Sequence, residues 1–349
     1  MAEINATNLY ARDILSVEQF DLPWQQLDGK NILITGATGL IGGCIVDILM
    51  ADRRADYTVY VAGRNELRAK KRFYAYLASP HFRFLKLDVT QPIDCDIPFE
   101  YIIDAAGGAA PKLYSTDPVG VMTSNFYGAN NLLTYGKRHG LKRFLYVSSG
   151  EVYGEGDGRA FTEDYSGYVD CTQVRSCYPS AKRATETLCV CYARQHGIET
   201  VIARPSHTYG PCFTEADNRV YAQFIRNVLH GEDIVLRSKG DQFRSWIYVV
   251  DCANAILFLL LKGENGQAYN VADPHSNITI FELARTIARL AHRKVVFRIP
   301  DDASKGVTTP ITRAVFNTAK LQHLGWAPQY SIREGMAHTL DYFTAIREE

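Results

Sequence analysis

Tyr178 and Lys182 stand four residues apart in Tyr178-Pro179-Ser180-Ala181-Lys182, at the start of a helical pattern. That spacing puts a phenol and an ammonium group on one face of a helix. A free phenol has a pKa of about 10, too high for a base at neutral pH, and nearby positive charge favours its ionised form. Tyr178 is therefore a candidate general base. Upstream, at a strand end, Ser148-Ser149-Gly150-Glu151-Val152-Tyr153-Gly154 supplies Ser149 to hydrogen-bond the oxygen whose proton Tyr178 removes. Glu151, read on its own, is a partly buried carboxylate bonded to neighbouring backbone. A Tyr-x-x-x-Lys spacing occurs by chance in many helices, so its meaning depends on context.

The context is Asn31 to Gly43. Ile32, Leu33 and Ile34 read as a short buried strand, Gly36, Gly39 and Gly42 as a turn stripped of side chains, and Leu40 to Met50 as a helix. Such a turn lets backbone N–H groups at a helix N-terminus approach a pyrophosphate, as in dinucleotide sites. A bound, oxidised nicotinamide then adds positive charge near Tyr178 and accepts hydride as the phenolate takes a hydroxyl proton. The second strand is expected to end near Gly63, where an acid normally bonds the adenosine ribose hydroxyls of NAD. The sequence there is Gly63-Arg64-Asn65. Arg64 either meets the 2′-phosphate of NADP or is an exposed first-turn residue, with Asn65 as the helix cap. Asp88, after the third strand, either bonds the adenine amino group or caps a turn.

These groups need a rigid α/β scaffold, and the chain has the pattern of one. Tyr57 to Ala62, Phe82 to Leu87, Tyr101 to Ala106, Phe144 to Ser149 and Thr200 to Ala203 read as strands, with helices between most of them. That alternation predicts a Rossmann-like, doubly wound parallel sheet. Beyond Arg204-Pro205 the alternation stops. A short strand at Ile234 to Leu236, strands at Trp246 to Val250 and Ala268 to Ala272 around a helix from Asp251 to Leu261, and helices near 279 to 291, 317 to 324 and 332 to 346 follow, with an irregular stretch from Pro300 to Pro310. We expect a dinucleotide-binding unit of residues 29–204 plus about 244–275, and a smaller, discontinuous substrate lobe of 205–243 plus 276–349. Residues 1–28 are expected to form an extra helix and an arm, with Pro23-Trp24 packed on the body.

At 349 residues, 46% hydrophobic and 22% charged, the chain suits one large core with an appended lobe, and disorder is not expected. Thirty-eight basic residues balance thirty-eight acidic ones, so no global field draws it to nucleic acid or an anionic membrane. No apolar run has the length of a membrane span and the start lacks signal-peptide character, so a cytoplasmic location is expected. The eight cysteines show no metal-ligand spacing, and no metal is expected; they read as reduced core residues.

From about Lys30 to Tyr342 the chain resembles the extended short-chain dehydrogenase/reductases that act on nucleotide sugars, the NAD-dependent epimerase/dehydratase family. The resemblance rests on Gly36-x-x-Gly39-x-x-Gly42, Ser149, Tyr178-x-x-x-Lys182, the run Ala203 to Pro211, the run Arg244-Ser245-Trp246-Ile247-Tyr248-Val249-Val250-Asp251, and Leu324-Gly325-Trp326-x-Pro328. It implies a tightly held NAD(P) recycled within each turnover, a nucleotide-sugar substrate and a homodimer. Cofactor contacts are implied at Gly36, Thr38, Gly39, Leu40, Ile41, Gly42, Arg64, Asp88, Val89, Ala105, Ala106, Gly107, Tyr178, Lys182, Arg204 and Pro205. Substrate contacts are implied at Ser148, Ser149, His207, Arg219, Arg244 and Arg313, and catalysis by Ser149, Glu151, Tyr178 and Lys182. Arg219 and Arg313 are either diphosphate ligands or solvated surface groups.

Within that family the chain looks like the UDP-glucuronate decarboxylases, in Arg175-Ser176-Cys177-Tyr178, Lys182 to Leu188 and Asp217-Asn218-Arg219-Val220. The implied chemistry is oxidation at C4, loss of the C5 carboxylate and re-reduction. Gly150 stands where dTDP-glucose 4,6-dehydratases have Asp, while Glu151 and Ser245 match the decarboxylases. A 4-epimerase acting on UDP-glucose or UDP-glucuronate is the alternative, then a 4,6-dehydratase, and, as a different class, a non-catalytic NAD(P)-binding scaffold. Three departures bear on substrate and cofactor: His207, either a substrate contact or a satisfied packing residue, replaces the family's usual Asn, Arg64 the cofactor acid, and Asp301 to Pro310 is not the basic stretch common there.

Overall fold

Strand and helix alternate from β1 (Asn31–Thr35) to β6 (Glu199–Pro205) in the computed structural model, which describes residues 9–17, 20–52, 56–213, 217–299 and 313–348, the last three by backbone alone. The irregular stretch from Pro300 to Pro310 lies outside the described residues. Helix α1 (Leu9–Ser16) precedes the sheet. Then come β1, α2 (Leu40–Ala51), β2 (Thr58–Gly63), α3 (Glu66–Arg72), β3 (Phe82–Lys86), β4 (Tyr101–Asp104), α4 (Leu113–Thr116), α5 (Pro118–Arg138), β5 (Arg143–Val147), α6 (Cys177–His196) and β6. Further along lie β7 (His207–Tyr209), α7 (Val220–Leu229), β8 (Ile234–Leu236), β9 (Phe243–Tyr248), α8 (Val249–Lys262) and β10 (Gln267–Val271). The chain closes with β11 (Asn277–Thr279), α9 (Ile280–Leu290), β12 (Val295–Phe297), β13 (Arg313–Ala314), α10 (Ala319–His323) and α11 (Ile332–Glu348).

Seven strands form one parallel sheet in the order β10-β6-β5-β4-β1-β2-β3. Ile32, Leu33 and Ile34 are fully buried, as a strand covered by helices on both faces requires. The order reverses at β1, with β2 on one side and β4 on the other. The carboxyl ends of β1 and β4 therefore open the crevice in which doubly wound sheets take their ligand. Thr35 and Asp104 are register partners there.

The smaller sheet runs β11-β9-β13, with β7 also on β9, and β12 pairs with β8. Here the structure departs from the sequence expectation. The strand expected at Trp246 to Val250, counted with the dinucleotide unit, is Phe243–Tyr248 and pairs only within the smaller sheet, while α8 and β10 do join the main body. Val249 and Val250 open α8, and Asp251 in its first turn accepts the backbone N–H groups of Gln329 and Tyr330, both at 3.0 Å, which ties the helix to that segment. Every residue from Val249 to Leu261 is buried, so α8 is enclosed on all sides, its few polar groups included.

Helix α1 is tied down by polar contacts: the Tyr10 hydroxyl donates to Asp47 of α2 at 2.7 Å, and Asp13 accepts from the Tyr248 hydroxyl at 2.9 Å. Trp24 is buried, as expected of the arm. All eight cysteines are free, but only Cys44, Cys177, Cys189 and Cys252 are buried; Cys171 and Cys191 are exposed, which corrects their reading as core residues. No helix of the described residues is long and apolar enough to cross a membrane.

Candidate active site

The glycine turn is built for close backbone approach. Gly36 has φ +62°, and a Cβ there would collide with the Ala105 carbonyl oxygen at the end of β4. A Cβ on Gly42 would lie 2.7 Å from the Gly36 carbonyl oxygen. Only glycine lets the turn close on both neighbours. Helix α2 starts from Gly39, which has no side chain to cap it, so the first-turn N–H groups at Leu40, Ile41 and Gly42 suit an anion such as a pyrophosphate. Thr38 completes the turn. On the facing strand, the Ala106 N–H donates to Thr35 Oγ1 and Asp104 Oδ1, both at 3.2 Å, and Gly107 packs against Asn125. These residues fit a dinucleotide laid across the crevice.

The expected ribose end lies beyond β2. Arg64 is exposed, and Asn65 caps α3 by accepting the Arg68 N–H at 2.9 Å. Asp88 caps a turn, accepting from Thr90 N at 3.0 Å and Thr90 Oγ1 at 2.8 Å. Partial burial opposes its charge, but those bonds and the nearby Arg64 outweigh it and hold its pKa below the usual value. The Val89 carbonyl accepts from Asn131 at 2.9 Å, fixing this loop to α5.

Tyr178 and Lys182 are both buried on the first turns of α6. Lys182 Nζ donates to the Val147 carbonyl at 2.7 Å and lies 5.7 Å from the centre of the Tyr178 ring. Burial pushes the lysine down to about 8, with Asp104 and Glu186 working the other way. Burial pushes the Tyr178 phenol up to about 12; a hydrogen bond with Ser149 lowers it, Glu151 raises it, and Arg219 and Arg175 lower it. Ser149 also caps the short 3-10 turn Gly150–Tyr153, accepting the Glu151 N–H at 3.2 Å. Glu151 is held by Arg175, whose Nη2 donates to Oε1 at 2.7 Å. Arg175, quoted above only as part of a motif, thus orients the candidate acid-base group.

On the substrate side, Arg219 is gripped by Asp217 and by the Tyr221 hydroxyl at 3.1 Å, and its charge acts on both Tyr178 and His207. Arg244 is buried on β9, which lowers its pKa, while the Glu151 charge opposes that shift. Burial in the cleft, and then the charges of Arg244 and Arg219, hold His207 below the usual imidazole range, although the residue keeps contact with water. Ser149, Glu151, Tyr178, His207, Arg219 and Arg244 are therefore brought within electrostatic reach of one another. Arg313 is exposed, its guanidinium 5.0 Å from the centre of the Phe243 ring.

Three other expected residues point elsewhere. The Ser148 hydroxyl donates to Glu186 at 2.5 Å. Arg204 forks onto Glu186 at 3.0 and 2.7 Å and reaches Tyr153 and the Glu163 carbonyl, and Pro205 is buried within β6. Sequence reasoning missed Asp104, Tyr114 and Arg68. An acid closing the apolar run Tyr101-Ile102-Ile103 was the available signal for the first; nothing in the sequence marks the other two.

The comparisons with known proteins give the family. Residues 32–272 match the NAD dependent epimerase/dehydratase family. UDP-glucuronic acid decarboxylase 6 of Arabidopsis thaliana is 36% identical over 310 residues, 88% of this chain and 86% of the relative. The solved UDP-glucose 4-epimerase of Thermus thermophilus, in complex with NAD, superposes with a TM-score of 0.72 at 26% identity, covering 90% of this chain and 99% of that one. The UDP-glucuronic acid 4-epimerase of Bacillus cereus shares the fold, with a TM-score of 0.77 at 21% identity over 90% of this chain and 99% of that one. With the glycine turn, the Ser149, Tyr178 and Lys182 trio and a match over most of its length, this chain belongs to the NAD dependent epimerase/dehydratase family.

Proposed function

We propose that this chain is a UDP-glucuronate decarboxylase, oxidising the sugar at C4, releasing the C5 carboxylate from the resulting β-keto acid, and reducing the ketone again. The observation that carries the reading is the convergence of Ser149, Glu151 and Tyr178 with Arg219 and Arg244 within electrostatic reach of one another. The nicotinamide dinucleotide, when bound, supplies the hydride acceptor of the first step and the hydride donor of the last. Tyr178 Oη takes the C4 hydroxyl proton and later returns it, while Ser149 Oγ holds the same oxygen. Lys182, anchored on Val147, holds the first turn of α6 against the end of β5. Glu151, oriented by Arg175, is the second proton-handling group. Arg219 and Arg244 suit the diphosphate oxygens. The curated relatives named for this activity support the choice of sugar.

Mass spectrometry of the products from UDP-glucuronate, with NAD and separately with NADP, tests the reading. Loss of carbon dioxide is expected. An unchanged mass with a new chromatographic peak would assign a 4-epimerase, the second reading, which the likeness to the Thermus enzyme favours. No change of product and no transient nicotinamide absorbance would leave the non-catalytic scaffold.

We further infer that the cofactor stays bound between turnovers, that NADP is accepted as well as NAD because Arg64 replaces the usual acid, and that the protein works in the cytoplasm, where its free thiols are stable. A homodimer fits the exposed apolar face of α5, where Val119, Met122, Phe126 and Tyr127 stand beside Val190 of α6. Light scattering should give twice the chain mass, and Phe126→Glu should give the monomer.

A further inference from the structure

Two arginines, Arg64 and Arg68, follow the strand end beyond which the ribose of a bound dinucleotide is expected to lie. In a strand, glycine turn and helix site, the adenosine ribose sits beyond the end of the second strand and beside the turn, with its 2′ oxygen facing the residues that follow that strand. Strand β2 ends at Gly63, around which a Cβ would meet nothing within 4 Å. The position offers open space and no carboxylate for the ribose hydroxyls of NAD. Arg64 comes next and is exposed. Arg68, one turn into α3 and also exposed, reaches back to the glycine turn, where its Nη2 donates to the Thr38 carbonyl at 3.2 Å. The Asn65 cap on the Arg68 N–H fixes the start of the helix that carries it.

The neighbouring acids are already engaged. Glu66 pairs with Lys70 at 2.7 Å, and Asp88 is bonded to Thr90. Arg68 retains donors beyond the one it spends on Thr38. A phosphate monoester between the two arginines would meet planar forks matched to its oxygens, in a solvent-open setting where each charge-assisted bond still contributes.

We propose that Arg64 and Arg68 form a clamp for the 2′-phosphate of a phosphorylated nicotinamide dinucleotide and make NADP the preferred cofactor. The inference rests on reading the glycine turn as the dinucleotide site, and it adds Arg68, one end of which is fixed to that turn.

The test is competitive loading of the full-length chain. The protein, first stripped of any nucleotide it already carries, is incubated with equal excess concentrations of NAD and NADP and freed of unbound nucleotide, and the retained dinucleotides are quantified. NADP should exceed NAD about tenfold or more, the scale of one or two hydrogen bonds to a charged group. Arg64→Gln and Arg68→Gln should each bring the ratio toward one with total occupancy kept; the glutamine at 68 retains an N–H donor for Thr38. A wild-type ratio at or below one overturns the proposal. So does an Arg68→Gln variant that loses both dinucleotides equally, since Arg68 would then only brace the turn. Retention of neither dinucleotide overturns the dinucleotide-site reading and the clamp with it, and is distinguished from the other failures by zero occupancy.

Discussion

Tyr114 lies stacked on Tyr178, with ring centres 5.0 Å apart and planes inclined by 22°. The Tyr114 hydroxyl is pinned to the Ala109 carbonyl at 3.0 Å, and the Arg175 guanidinium lies 4.5 Å from the same ring. Because Arg175 also holds Glu151, the two candidate proton-handling groups are joined through one aromatic ring and one guanidinium. Tyr114 thus fixes the plane of the Tyr178 ring.

Replacing Tyr114 by Leu removes the stack and should slow the sugar-oxidation step by about 10- to 100-fold, the scale of a small misplacement of a reacting group. Phe keeps the stack and loses only the Ala109 bond, so Tyr114→Phe should stay near wild type. Single-turnover cofactor reduction reads both. Equal rates for the Leu and wild-type proteins would show that α6 alone positions Tyr178.

The phenol of Tyr178 stands at about 12, above a free tyrosine, because burial outweighs the Ser149 bond and the arginine charges. Its ionised fraction therefore grows with pH through the neutral range, and the oxidation rate should climb as pH rises above 7. The charge of the oxidised cofactor lowers the limb without reversing its direction. Ser149→Ala removes the bond that lowers the phenol, so the limb should move to higher pH and the neutral rate should fall about 10²-fold or more. A limb left in place by Ser149→Ala would mean that Ser149 does not act on the Tyr178 proton.

Arg204 follows a different logic. Its side chain and that of Glu186 are 12% and 10% exposed and form a forked ion pair inside the fold. Removing one partner of such a pair strands the other charge and costs about 3–5 kcal/mol. Arg204→Met should therefore lower the melting temperature by many degrees, while Arg204→Met with Glu186→Gln recovers part of the loss. If the single variant melts like wild type but retains no dinucleotide, Arg204 belongs to the cofactor site instead.

Much of this architecture was legible because it is carried by local signals. The glycine spacing marks β1 and α2 since only glycine closes against Ala105, and the alternation of apolar runs marks the parallel sheet. Strands β7, β11, β12 and β13 were not legible, because two or three residues display no period of two; β8, equally short, was read from an apolar run set off by Gly231. Ser149, Tyr178 and Lys182 could be read from spacing. The Lys182 ammonium does lie near the phenol, 5.7 Å from the ring centre, while it donates to Val147, and the cations acting on the phenol include Arg219 and Arg175, which reach it from other segments. Tyr114 and Arg68 act through contacts made only when the chain folds, so no spacing announces them.

Asp104 gives a stability test of the same crevice. It is buried at the end of β4, where Oδ1 accepts from Thr35 Oγ1 at 2.6 Å while Oδ2 has no hydrogen-bond partner among the described residues. Burial raises its pKa from 3.8 to about 6, partly offset by Thr35, Lys182 and Ala106. The folded carboxyl thus keeps a proton that the unfolded chain has lost. The stability this contributes is fully present below pH 4 and is lost as pH rises through 6, an effect of up to about 3 kcal/mol. Asp104→Asn cannot ionise and so escapes the loss. Relative to wild type, its melting temperature should rise steadily between pH 4 and pH 7, whatever the absolute values at either end. Parallel melting profiles would mean that the carboxylate is already accommodated when charged, with the Lys182 ammonium as the group that compensates it.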